Sequence, residues 1–170
     1  KFLEPVICDP KNRKIMYQMN NAIGSFLRTK GGLSLTGFEF NEERELKKLL
    51  QVTLNVSHAE GKVALNIPAL NPARDIIASP GTRTVVWNII IATCDMENIS
   101  GNSYTTKLLM NYSDGLLEPQ EIALPLEVPA GNLTIIAAGL NYSRTADKSG
   151  IVEESWWKTG KIVECFIKEL

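Results

Sequence analysis

The chain has 170 residues, 44% hydrophobic and 22% charged, with 18 basic against 19 acidic side chains and a net charge of −1. That length suits one domain, or one domain with an appendage, and buries enough surface to need neither disulfides nor a structural metal. The balanced charge excludes a global field that draws the protein to nucleic acid or anionic membrane, and no apolar run approaches the length of a membrane span.

Apolar residues first recur at helical spacing, in Ile15, Met19, Ala22, Ile23, Phe26 and Leu27. Asp9 is expected to cap this helix, Pro10 suits its first position, and Gly31-Gly32 end it after the cationic Arg28 and Lys30. Its stripe is one-sided, so it must lie on something, most simply on the sheet that follows. The segment 33–40, LSLTGFEF, alternates weakly and reads as a strand or an extended connector. Asn41 is expected to cap a short helix with Glu42 and Glu43 in its first turn and Lys47 and Lys48 near its end, the charge run 42–48 facing solvent.

At about residue 50 the period changes from helical to alternating. Strands are expected over 51–57, 62–67, 83–95, 103–112, 120–128, 133–142, 151–157 and 161–168, with turns at 58–61, 113–115 and 129–132 and a proline-bearing connector over 68–82. About eight strands at regular spacing predict a mainly β fold: an antiparallel β-sandwich, Ig-like in style, with the N-terminal amphipathic helix packed on it. Residues 1–50 then form the helical segment and 51–170 the sandwich. Strand 83–95 is apolar on both parities, Val85, Trp87, Ile89 and Ile91 on one and Val86, Ile90, Ala92 and Cys94 on the other. Such a strand belongs at the centre, with the core on one face and the helix on the other.

Motifs that carry chemistry are few. His58 is the only histidine, read as a solvated turn residue, and no phosphate loop, nucleophile elbow or zinc-binding helix motif occurs. No catalytic residue, cofactor or metal is expected. Glu153 and Glu154, adjacent on a strand, point to opposite faces and cannot flank one bond. Cys8, Cys94 and Cys165 show no paired spacing; Cys94 and Cys165 are expected as buried free thiols, with one disulfide and a leftover thiol as the alternative. The five N-x-S/T triplets, at Asn55, Asn98, Asn111, Asn132 and Asn141, fit turn chemistry better than glycosylation.

The candidate interaction surface is the pair Trp156 and Trp157. Neighbours on one strand face opposite ways, so one indole points outward, with residues 152–154 and Lys158 as a charged rim. The last strand, KIVECFIK (161–168), alternates in charge, as suits an edge that is guarded or paired with another chain.

The segments 31–50, 61–97 and 132–144, taken in order, resemble an uncharacterised bacterial family of small helix-plus-β-sandwich proteins of unknown function. In that family a helical segment precedes a G-F-x-F-N stretch, then a strand ending in an I-P-A-like turn, then a P-x-G-T entry into a long central strand. Its members carry a further basic N-terminal segment, which, with the start at Lys1 rather than Met, reads as a fragment or processed product here. The resemblance implies that fold and assigns no activity and no catalytic residue. The expected function is a non-enzymatic structural or protein-interaction module, self-assembly included, whose partner is another protein or a second copy. The alternative is a carbohydrate- or small-ligand-binding domain that uses an exposed Trp, with an enzyme as the third reading.

Overall fold

The computed structural model describes residues 3, 13–29, 35–59, 62–95, 100–144 and 158–168. The chain is mainly β, in two antiparallel sheets preceded by a helix. Helix α1 spans Arg13–Arg28, and two four-residue helices follow, α2 at Leu46–Leu49 and α3 at Pro72–Asp75. The strands are β1 (Asn55–Ala59), β2 (Lys62–Ile67), β3 (Thr84–Asp95), β4 (Ser100–Asn111), β5 (Gln120–Leu124), β6 (Leu133–Ser143) and β7 (Thr159–Ile167). Seven strands thus stand among the described residues where about eight were expected; the eighth, 151–157, lies outside them, as do the cap at Asp9-Pro10, the stop at Gly31-Gly32 and the acids Glu153 and Glu154.

The smaller sheet runs β1-β2-β5 and the larger β4-β3-β6-β7. In the larger, β3 pairs with β4 from Thr84↔Asn111 to Asp95↔Ser100 and with β6 from Thr84↔Ser143 to Cys94↔Leu133. As its two apolar parities require, β3 sits centrally, and all but its last two residues are buried. Its odd-numbered side chains Val85, Trp87, Ile89 and Ile91 share one cluster with Ala138 and Leu140 of β6 and with Val63, Leu65 and Ile67 of β2. That cluster joins the apolar faces of the two sheets. Burying each of these large side chains contributes roughly 1.5–3 kcal/mol, so this shared layer dominates stability.

The other face of the large sheet forms a second cluster. Ile90, Leu133, Ile135, Ala137 and Ile162 meet Met19 and Phe26 of α1, with Met16, Ala22 and Ile23 at its margin. The helical stripe therefore covers the back of the sheet, and Ile15 is also buried. The side chain of Leu27 lies outside the described residues.

Three local readings are corrected. Asn41 does not cap a helix: its Oδ1 accepts from the amides of Glu43 and Arg44 in a turn, and α2 starts only at Leu46. The free amides at that start are met by Glu39, whose carboxylate accepts from Leu46 N at 2.7 Å and Lys47 N at 3.2 Å. The connector 68–82 holds α3, with Asn71 Oδ1 accepting from Ala73 N and Pro72 at the first position. It is held down by two phenols, Tyr112 Oη donating to Ile76 O at 3.0 Å and Tyr142 Oη to Ile77 O at 3.2 Å. Burial pushes the Tyr142 phenol far above its ordinary value, so it stays a donor. Finally, β4 begins at Ser100, inside what reads as a loop from sequence.

The last strand carries a feature no pattern reveals. β6 and β7 pair from Leu133↔Ile167 to Leu140↔Thr159, but the register shifts between Ile136↔Glu164 and Ala137↔Ile162. Val163 is the extra residue of a β-bulge, and beyond it every side chain changes face. Glu164 and Phe166 thereby turn toward the small sheet, and Cys165 toward the helix side, where it packs against the second cluster.

Candidate functional site

Among the described residues, those singled out from the sequence do not assemble into a site. Trp156 and Trp157 lie outside the described residues. Trp87 is fully buried, its Nε1 donating to Met110 Sδ at 3.1 Å, and presents nothing to a ligand. Cys94 is a half-buried free thiol that donates to Asp95 O, rather than the buried thiol expected. Cys165 is half-buried too, its Sγ accepting from Leu35 N at 3.1 Å; Cys8 lies outside the described residues. Among the described residues no group of three His, Cys, Asp or Glu is placed to hold a metal.

His58 is not a turn residue. It lies in β1, and its Nε2 is 3.0 Å from Glu164 Oε1. Its ring stands edge-on to Phe166, centroids 4.8 Å apart at 83°. The bulge at Val163 makes this meeting possible by turning both β7 side chains inward. The arrangement is a clasp between the two sheets. The Asn triplets are also placed: Asn55 opens β1, Asn111 closes β4, Asn132 follows the turn whose Gly131 takes φ 79°, and Asn141 is buried within β6; Asn98 lies outside the described residues.

What stands out instead is the treatment of the four sheet edges. An edge strand offers unpaired amides and carbonyls to any other strand, so folded proteins shorten, charge or cover it. β1 and β5 are short, five residues each. β7 is covered by the segment before α2: Gly37 N donates to Ile162 O and Phe40 N to Gly160 O, both at 2.8 Å, and Ile162 N donates to Phe38 O at 2.9 Å. The described part of that weakly alternating segment, 35–40, thus supplies an extended cover, and the β7 edge is guarded by this chain itself.

Among the described residues β4 is neither short nor covered. It is twelve residues long, SGNSYTTKLLMN, without proline and with Lys107 as its one charge. Among the described residues nothing pairs with its outer side. Tyr112 N donates to Arg83 O at 2.8 Å across the β3–β4 ladder. The alternation of an antiparallel ladder then turns the even-numbered backbone groups toward β3 and leaves those of Ser103, Thr105, Lys107 and Leu109 facing out. Its inward side chains Tyr104 and Leu108 are only half-buried at the rim of the core, and Leu109 is 42% exposed on the other face. Sequence reading missed this edge because the segment looks like any half-buried strand; its one signal is Ser, Asn and Thr on both parities.

No helix among the described residues is long and apolar enough to cross a membrane. Compared with protein-family models, with curated proteins and with solved structures, the chain matches none.

Proposed function

We propose that this chain is a non-enzymatic protein-interaction module built on an Ig-like β-sandwich, and that β4 is the strand it offers. The sandwich reading is supported by the apolar cluster common to both sheets. The Ig-like reading is supported by strand order: first, second and fifth strands in one sheet, and fourth, third, sixth and seventh in the other. This is the immunoglobulin-type order with the fourth strand moved across to lie beside the third.

One observation carries the functional reading. Of the four edges, the longest carries a single charge and has no partner among the described residues, while β7 is covered by the chain's own residues 37–40. Strand addition to such an edge supplies main-chain hydrogen bonds for affinity and side-chain positions for specificity. The sugar-binding alternative gains no support, since the one described indole is buried.

The test is a proline placed where the outward amide is. Thr105→Pro leaves the β3 ladder intact, because the amide it removes faces away from β3, and blocks strand addition. A partner identified with the wild-type chain should be lost by Thr105→Pro and kept by Glu121→Lys on the opposite sheet. Retention by Thr105→Pro refutes the edge.

A further inference from the structure

We infer that the strand β4 takes up is β4 of a second copy, paired antiparallel about a two-fold axis through Thr106 to make one continuous eight-stranded sheet. This rests on β4 being the interaction edge and names the occupant.

The argument is from register. When two copies of one strand pair antiparallel in a continuous sheet, opposed residues share a face, so the two-fold must pass through a residue of β4. Centring on Thr106 sets Tyr104 opposite Leu108 of the second copy, and Leu108 opposite its Tyr104. Both are half-buried side chains at the rim of the apolar cluster, with nothing beyond them among the described residues. The contact therefore extends the core across the edge twice over. Because the even-numbered backbone groups face β3, these opposed positions are non-hydrogen-bonded ones, where cross-strand side chains come closest. Outward-facing Thr105, with its amide turned to the partner, falls opposite Lys107 and Ser103 opposite Leu109.

Registers centred on Lys107, Thr105 or Tyr104 are worse. Centring on Lys107 stacks the only two charges of the interface on each other. Centring on Thr105 sets Leu108 against Asn102 and Tyr104 against Thr106, and centring on Tyr104 sets Leu108 against Ser100. Each leaves apolar rim side chains on polar partners. With a single lysine and no acid, β4 carries no charge pattern that selects a different strand, and the Thr106 register keeps the two lysines diagonal to one another.

The closing experiment uses the whole chain in sedimentation equilibrium with a charge pair at Thr105, which is exposed and outside the core. In the Thr106 register Thr105→Glu meets Lys107 of the other copy at two symmetric positions and should tighten dimerisation about tenfold, while Thr105→Lys sets like charges there and should weaken it about tenfold. Both variants should melt with the wild-type monomer. A chain that stays monomeric even as Thr105→Glu overturns self-pairing, as do charge variants that shift association in the same direction or leave it unmoved. A dimer that also survives Thr105→Pro lies elsewhere on the surface, and that result overturns the edge reading with it.

Discussion

Nε2 of His58 lies 3.0 Å from Oε1 of Glu164, tying the outermost strand of the small sheet to the last strand of the large one. The contact closes the sandwich at one corner, with Phe166 packed edge-on against the same imidazole. Both polar side chains are partly exposed, at 45% and 32%, so water screens the pair. A double-mutant cycle with His58→Ala and Glu164→Ala should give a coupling of about 0.2–1 kcal/mol by denaturant unfolding. Coupling of several kcal/mol would show a desolvated pair, which this geometry does not provide.

Glu39 sets up a pH dependence of definite sign. Burial raises its carboxyl above the ordinary 4.5, outweighing the amides of Leu46 and Lys47 and the nearby Lys161 that favour the charged form. Since the folded state holds this proton more tightly than the unfolded one, the contribution is fully present below about pH 4.5 and is lost as pH rises through the raised value. The stability difference between wild type and Glu39→Gln should therefore move against wild type from pH 4 upward and then level off. A difference that is flat, or that slopes the other way, contradicts the burial effect.

Gly101 is required by close approach rather than by turn geometry. A Cβ there would fall far inside contact with Thr93 O and within 3.3 Å of Cys94 Cα, both backbone atoms of the neighbouring strand. Gly101→Ala must push the start of β4 away from β3 and should cost about 1–3 kcal/mol. Urea unfolding of this variant beside Ser103→Ala, on the exposed face of the same strand, separates that clash from a general loss of strand propensity.

Trp87 fills the middle of the inter-sheet layer at 0% exposure, with its indole N–H donated to Met110 Sδ. Trp87→Ala removes the largest side chain of that layer and should cost about 3–5 kcal/mol. Trp87→Phe keeps much of the volume but loses the donor, and thermal unfolding should place it between the two. An alanine variant as stable as wild type would mean that the sheets do not share this core.

The helical stripe, the central place of β3 and most strand positions were legible without coordinates, because periodicity is a property of the local chain. Ile15, Met19 and Phe26 had to face one way, and a strand apolar on both parities had to be covered on both faces. The features that local pattern does not give depend on residues distant in sequence. Glu39 reaches seven residues ahead to cap α2, in place of the neighbouring Asn41 that local capping rules favour. One extra residue at Val163 reverses the facing of Glu164, Cys165 and Phe166, and a bulge leaves no mark in an alternating pattern. Which strand ends a sheet is likewise set by long-range pairing: 37–40 closes β7, while β4 has no partner on its outer side among the described residues. Periodicity says which face of a strand meets the core, and only the folded chain says which strands its edges pair with.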